Sequence, residues 1–311
     1  MDIARSYLDH LTEYDVELLV AHAPGTLSAA KLKSEPEQLF KLLESREVVQ
    51  AAFRRTDDFD LRKGPMAADA FAAASPFLIF ALAIQAVASE LATSSFVSEW
   101  IGPRQRVPVF DAHALAGFLA PLERRFYLAT LLDSYTHVYS GSVWVHTGAR
   151  WRRRRFSELD PLTLASLLES VPETERAGIY RRLGDLALFL TGVFPDYTAT
   201  RLLKRIDKER LYRMTNLVPT QGSSPSSLHG QSNSSEEGIE TIQETSGNLV
   251  ALLARLGKRW YEKAVDTALF STDAISLVAD IARHFEQARR VLNIVTDRYL
   301  FDYRARWLPE Q

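Results

Sequence analysis

The sequence contains no cysteine. This absence excludes disulfide bonds, thiolate zinc sites, iron–sulfur clusters and a cysteine nucleophile. It also fits a reducing compartment, and we expect a cytoplasmic location. Lysine is scarce, with 8 residues against 29 arginines, and there are only 4 asparagines. Because lysine and asparagine codons are AT-rich, this bias is typical of a bacterial protein from a GC-rich genome.

Long hydrophobic runs are also lacking. The most apolar run, Phe77 to Ile84, ends at Gln85 after eight residues, whereas a membrane-spanning helix needs roughly 20 apolar residues. The first residues, Met1 to Arg5, lack the charged-then-apolar build of a secretory signal. We therefore expect no membrane partner. Ser75 and Pro76 are an N-cap and a first-turn proline, and they predict a buried core helix over 76–92.

Neither sign of charge dominates, because the formal net charge is only −2 at pH 7. Such a balance gives no overall attraction to nucleic acid or to anionic lipid. A polyanionic partner would need a local basic patch. The sequence also has no GxGxxG, P-loop, GxSxG or HExxH motif. We therefore expect no cofactor and no metal.

Helical periodicity is what the sequence has in abundance. It predicts a single all-α domain of about ten helices with one small β-hairpin near 142–156. The first helix is predicted over about 2–22, and an irregular connection is predicted around Gly102, Pro103 and Pro108. The hairpin follows from a run of β-formers at 142–147, a tight turn at Gly148-Ala149 and a second strand to Phe156.

The composition changes abruptly between 219 and 247, where serine is the commonest residue and glycine and glutamate follow. Such a segment cannot bury enough apolar surface to order itself. We interpret it as a disordered insertion, because amphipathic helices flank it directly. Residues 1–218 then form a helical domain that includes the hairpin, and helices in 248–311 complete it. A linker between two domains is the alternative.

The last predicted helix, about Asp273 to Leu300, has apolar residues alternately three and four apart. These residues are Val278, Ile281, Phe285, Ala288, Leu292, Val295 and Tyr299. A seam of this length usually packs inside a helical bundle. The alternative is a homodimer formed through the 278–299 seam.

The most unusual local feature is the basic strand Arg150-Trp151-Arg152-Arg153-Arg154-Arg155-Phe156. Strand alternation places Trp151, Arg153 and Arg155 on one face and Arg152, Arg154 and Phe156 on the other. Arginines of this kind bind phosphates, which makes Arg150 and Arg152–Arg155 candidates for anion or nucleic-acid binding. The alternative is an exposed edge strand whose charges prevent aggregation and meet Glu158 and Asp160.

Seven histidines are scattered along the chain. Asp133 and His137 are one helical turn apart, so the carboxylate could orient the imidazole, and His146 follows nearby. These three residues are weak catalytic candidates, and a pair on a helix surface is the alternative. Asp185 lies in an apolar stretch and needs a cationic partner, for which Arg181 or Arg182 is within one turn.

The end of the chain interleaves aromatic residues with arginines. Tyr299, Phe301, Tyr303 and Trp307 are candidates for contact with a protein partner. The alternative is a tail that packs on its own bundle.

Two stretches, Tyr180 to Pro195 and Ala288 to Asn293 with Asp297 to Leu300, resemble parts of uncharacterised bacterial helical proteins, notably actinobacterial ones. The resemblance covers about the C-terminal half and implies no activity. By elimination, we expect a non-enzymatic intracellular interaction or scaffold protein. Nucleic-acid or anion binding through the arginine hairpin is the alternative, and an enzyme around Asp133, His137 and His146 is the third hypothesis.

Overall fold

A computed structural model describes residues 2–23, 27–53, 70–102, 105–137, 140–147, 150–157, 159–168, 171–195 and 249–300. Over these residues the chain forms thirteen α-helices and two small antiparallel hairpins. The predicted all-α class with a small β-hairpin is confirmed. The serine-rich segment 219–247 lies outside the described residues.

The helices, in chain order, are α1 (Ile3–His10), α2 (Glu13–Ala21), α3 (Ala29–Ser34), α4 (Gln38–Leu43), α5 (Arg46–Phe53), α6 (Pro76–Thr93), α7 (Ala112–Leu119), α8 (Leu122–Ser134), α9 (Pro161–Leu167), α10 (Arg176–Val193), α11 (Leu249–Asp266), α12 (Asp273–Arg283) and α13 (Phe285–Val295). A π-helical turn, Thr296–Leu300, follows α13. The strands are β1 (Val97–Gly102) with β2 (Gln105–Val109), and β3 (Ser140–Thr147) with β4 (Arg150–Ser157).

These elements form two compact units. The first comprises Met1–His137 and Glu286–Gln311, and the second comprises Val138–Phe285. The expectation of one domain stays a prediction, because compact units of this kind also occur within single domains.

Helix α6 is the core of the first unit. Ser75 is its N-cap and accepts a hydrogen bond from the amide of Leu78, as the sequence predicts. The helix packs against α5, α7 and α8, and its polar residue Gln85 accepts a 2.6 Å hydrogen bond from Arg125. Among the described helices, α6 alone is long and apolar enough by composition to cross a membrane. Its mean hydropathy is 1.6 and 61% of its residues are buried inside the protein.

The prediction of one opening helix over about 2–22 is wrong in one respect, because the chain forms two helices there, α1 and α2. Thr12 and Asp15 form a reciprocal capping box that begins α2. The Asp15 carboxylate is fully buried and also accepts a 2.8 Å hydrogen bond from the amide of Ser75. It therefore joins the start of α2 to the residue that caps α6.

The irregular connection predicted around Gly102 is also wrong, because the chain forms a second hairpin there. Val97 pairs with Val109, and the register shifts between Trp100 and Gly102. The signal was the group of β-forming residues Val97, Trp100 and Ile101 before Gly102-Pro103. Pro108 is compatible with this hairpin because both strands of a two-stranded sheet are edges.

The predicted helix over 273–300 is interrupted at His284, whose ring Nδ1 lies 2.9 Å from the carbonyl oxygen of Asp280. The seam residues around the break are nevertheless buried: Val278, Ile281, Phe285, Ala288, Leu292 and Val295. Their burial inside the chain is the packing expected of a bundle helix. A homodimer through this seam stays a prediction.

In the second unit, α10 and α11 pack very closely. A Cβ atom at Gly184 would lie 2.5 Å from Cε1 of Tyr261, and one at Gly257 would lie 2.6 Å from the Cβ of Ala187. Tyr261 is fully buried, and its hydroxyl donates a 2.8 Å hydrogen bond to Asp185. Arg181 lies 3.9 Å from the same carboxylate, which confirms the predicted cationic partner.

This close approach predicts opposite effects for two glycines of α10. Gly184→Ala should lower the free energy of unfolding by about 1–3 kcal/mol, because the methyl group overlaps the ring of Tyr261. Gly178→Ala should raise it by about 0.5 kcal/mol through helix propensity, since an added Cβ meets nothing within 4 Å. Urea denaturation checks both, and an equal effect of the two substitutions would contradict the described packing.

Candidate functional site

The most strongly organised polar cluster in the first unit is centred on Arg290 of α13. Its guanidinium donates 2.5 Å and 2.6 Å hydrogen bonds to the two carboxylate oxygens of Asp111, which precedes α7. Its Nε donates a 2.5 Å hydrogen bond to Glu99 of β1. Two carboxylates therefore occupy both edges of one planar cation.

The two partners stabilise each other's charged states. The hydrogen bonds from Arg290 hold the pKa of Asp111 below its ordinary value, against the opposing effect of burial. The hydrogen bonds to Asp111, and then those to Glu99, raise the pKa of Arg290. The Arg290 side chain is only 15% exposed, so this cluster is better shielded from solvent than an ordinary surface ion pair.

Two exposed aromatic residues flank the strands that Arg290 holds. Phe96 immediately precedes β1 and Phe110 immediately follows β2, so each adjoins the last pair of the ladder, Val97–Val109. Their ring centroids are 5.9 Å apart. Phe96 is 46% exposed and Phe110 is 76% exposed, whereas Val97 is buried. We call Phe96 and Phe110 the aromatic pair.

The sequence did not single out Arg290, Glu99 or the aromatic pair. Arg290 lies on the side of its helix opposite the apolar seam, where a charged side chain is ordinary. One signal was present: Ile294, one turn after Arg290, is an apolar residue outside the seam, and the structure buries it. It shows that α13 has a wider buried face than the seam alone implies.

The three catalytic candidates do not all fall in one unit. Asp133 and His137 belong to the first unit and His146 to the second. His146 pairs with Trp151 in the β3–β4 ladder, and its side chain is outside the described residues. His137 is exposed, with Nδ1 lying 2.9 Å from the hydroxyl of Thr136.

His10 is the histidine that sequence reasoning missed. Burial raises the pKa of Asp133, and positive charge on His10 and on His137 acts in the opposite direction. The His10 ring packs 5.0 Å from the rings of Phe77 and Phe126. Nothing in the sequence spacing connects His10 to Asp133, because the two residues come together only through the packing of α1 on α8.

No group of metal-ligating side chains occurs among the residues whose placement is described.

The arginine-rich hairpin is a regular eight-residue ladder from Ser140–Ser157 to Thr147–Arg150. Its arginines at 150, 152, 153, 154 and 155 all lie on β4. Asp160, one of the two acids that the edge-strand alternative pairs with them, caps α9: it accepts a 3.0 Å hydrogen bond from the amide of Leu162 and another from the hydroxyl of Thr163. Its contact with the arginines stays a prediction. Glu158 lies outside the described residues.

At the described end of the chain, Arg298 and Tyr299 contact their own unit. Both side chains bind the carboxylate of Glu90, and the ring of Tyr299 lies 4.7 Å from that of Phe53. Burial, followed by Glu90, raises the pKa of Tyr299. At this position the tail packs on the protein itself. Phe301, Tyr303 and Trp307 lie outside the described residues.

Comparison with known proteins gives no relative: no protein-family model, curated protein or solved structure matches this chain.

The Arg290 cluster predicts a large contrast between two adjacent arginines. Arg290→Met should lower the free energy of unfolding by about 1–3 kcal/mol, because Glu99 and Asp111 lose their shared cation. Arg289, whose side chain is 22% exposed, binds the exposed Glu286 one turn away on the same helix, so Arg289→Met should change it by less than about 0.5 kcal/mol. Chemical denaturation of both variants checks the contrast.

The two variants should also differ in how their free energy of unfolding depends on pH. Since the pKa of Asp111 is lowered in the folded state, its stabilising contribution is present above the ordinary carboxyl pKa and is lost as the pH falls through the folded value. The stability of Arg290→Met should therefore decline less steeply on acidification than that of Arg289→Met. Parallel acid profiles would contradict the role assigned to this ion pair.

Proposed function

We propose that this chain acts by binding, as an interaction or scaffold protein, and that a protein partner contacts the aromatic pair. The observation that carries the proposal is the exposure of two phenylalanine rings side by side at the base of a hairpin. Exposed aromatic side chains that lie together are a feature of protein-binding surfaces. Isolated exposed apolar residues, by contrast, are normal on any protein.

The surroundings of the aromatic pair support this proposal. Each phenylalanine is next to a residue that is held in place. Phe96 precedes the buried Val97, and Phe110 precedes Asp111, which binds Arg290. The backbone that carries the two rings is therefore fixed before a partner arrives. A preorganised aromatic anchor loses little conformational entropy on binding, which raises the affinity that a given contact area yields.

The test removes the aromatic pair by Phe96→Ser with Phe110→Ser in the full chain. The matched control is Leu269→Ser with Phe270→Ser, which removes two other exposed apolar residues that are 66% and 78% exposed. Proteins that the wild type retains from an extract of the source cells are identified, purified and titrated. We expect the aromatic-pair variant to bind at least one purified partner about ten-fold or more weakly, and the control to bind it as the wild type does.

Equal affinity of all three proteins for every purified partner would overturn the proposal. Circular dichroism and thermal unfolding of the variants are the folding controls. Both should match the wild type because the substituted side chains are exposed, so that any loss of affinity comes from the removed surface.

A second candidate function is polyanion binding by the β3–β4 hairpin. The sixteen residues of its two strands include five arginines and no aspartate or glutamate. Asp160, the described acid nearest to β4 in the sequence, caps α9. Five like charges without a carboxylate in the ladder favour an anionic polymer as the partner, because binding releases its condensed counterions.

Retention on heparin tests this candidate. Combined Arg152→Gln, Arg153→Gln, Arg154→Gln and Arg155→Gln should lower the salt concentration of elution and flatten the dependence of affinity on salt. The control substitutes four exposed helical arginines, Arg5, Arg46, Arg255 and Arg259, by Gln, so that the net charge is the same. Earlier elution of the control than of the hairpin variant would show that the hairpin is not the binding surface.

A further inference from the structure

The register of the β3–β4 hairpin brings together residues that are separated in the sequence. Trp144 pairs with Arg153, His146 pairs with Trp151, and Ser142 pairs with Arg155. Residues directly opposite each other in an antiparallel ladder share a face, and so do alternate residues of one strand. One face of the hairpin therefore holds Trp144, His146, Trp151, Arg153 and Arg155, which we call the tryptophan face.

The other face has a different composition. It holds Arg150, Arg152, Arg154 and Phe156 on β4, opposite Thr147, Val145, Val143 and Gly141. Both faces are cationic, but the two tryptophans and the histidine are all on one of them. The tryptophan face thus differs from the other in carrying both indole rings and the imidazole, whereas the other face carries the single ring of Phe156.

We infer that the tryptophan face binds single-stranded nucleic acid, with unpaired bases stacking on Trp144 and Trp151 and phosphates bound by Arg153 and Arg155. This inference rests on the polyanion binding proposed above and names its substrate class. Tryptophan stacks on the π-face of any unpaired base, whereas the bases of a duplex are already stacked on each other. Arginine supplies the phosphate contacts.

The geometry of the strand suits an extended polymer. Alternate residues of a strand lie about 7 Å apart along its axis, so that Arg153 and Arg155 follow each other at a spacing comparable with that of successive phosphates in an extended single strand. Trp144 lies opposite Arg153, and Trp151 is the preceding β4 residue of the same face. Along this face Trp151 comes first, Trp144 and Arg153 follow as a pair, and Arg155 comes last. Stacking and phosphate-binding residues are therefore neighbours, so that bases can stack while the adjoining backbone phosphates are bound.

The experiment measures binding of the full chain to labelled oligonucleotides by fluorescence anisotropy. The probes are oligothymidine and oligouridine of about 20 nucleotides and a mixed-sequence DNA duplex of the same length. Heparin retention is measured in parallel. The stacking variant is Trp144→Leu with Trp151→Leu. Its matched control on the opposite face is Val143→Thr with Val145→Thr, which tests whether any change in the ladder has the same effect.

We expect the wild type to bind at least one single strand more tightly than the duplex. The stacking variant should lose about ten-fold or more in affinity for that strand, and its heparin retention should remain that of the wild type. The valine control should match the wild type in both oligonucleotide affinity and heparin retention. A preference for one of the two probes distinguishes DNA from RNA as the source of the single strand.

Two results would overturn the inference in distinguishable ways. If heparin and duplex bind as well as the single strands and the stacking variant is unaffected, polyanion binding stands and base stacking is wrong. If neither heparin nor any oligonucleotide binds at about 50 mM salt, where phosphate contacts are strong, both the inference and the polyanion function are wrong. Arg153→Gln with Arg155→Gln separates the charge contribution, because it should weaken binding to every probe.

Discussion

The guanidinium of Arg290 is the constraint on which the candidate site of the first unit depends. It joins α13 to β1 through Glu99 and to the start of α7 through Asp111, residues that are far apart in the sequence. A single cation of this kind holds two carboxylates that would otherwise repel each other. Because Asp111 adjoins Phe110, and Glu99 lies three residues after Phe96, the same cluster fixes the backbone that presents the aromatic pair.

Hydrophobic packing forms the core of each unit. In the first unit it is provided by α6 with α7 and α8, and in the second by the glycine-mediated approach of α10 and α11. Such cores are close-packed and tolerate little change in volume. The Arg290 cluster contributes orientation. A guanidinium bound to two carboxylates fixes the direction of the elements that carry them, whereas apolar contacts alone would permit small rotations of those elements.

Local signals in the sequence predicted much of the fold. Ser75-Pro76 marked the start of α6, and the β-formers before Gly148 marked the β3–β4 hairpin. The β1–β2 hairpin was missed because Pro108 was read as a break.

The Arg290 cluster and the proximity of His10 to Asp133 could not be predicted, since each depends on packing between distant elements. Helical periodicity reports which face is apolar. It does not report which charge on the polar face meets a carboxylate.

The two surfaces proposed for binding differ in physical character. The aromatic pair is apolar and would act by removing its rings from water, whereas the β3–β4 hairpin is cationic and would act through counterion release and stacking. We expect their dependence on salt to separate them: binding at the hairpin should weaken steeply as the salt concentration rises, whereas binding at the aromatic pair should not. The two proposals make independent claims about two units.

The central claim is that Arg290 holds the β1–β2 hairpin in place, and native-state hydrogen exchange tests it most directly. In Arg290→Met, the amides of β1 and β2 should exchange faster than in Arg289→Met, while the amides in the middle of α6 keep their protection. Such a local change would show that the cluster fixes the strands beside the aromatic pair. Equal exchange of the strand amides in the two variants would contradict the account.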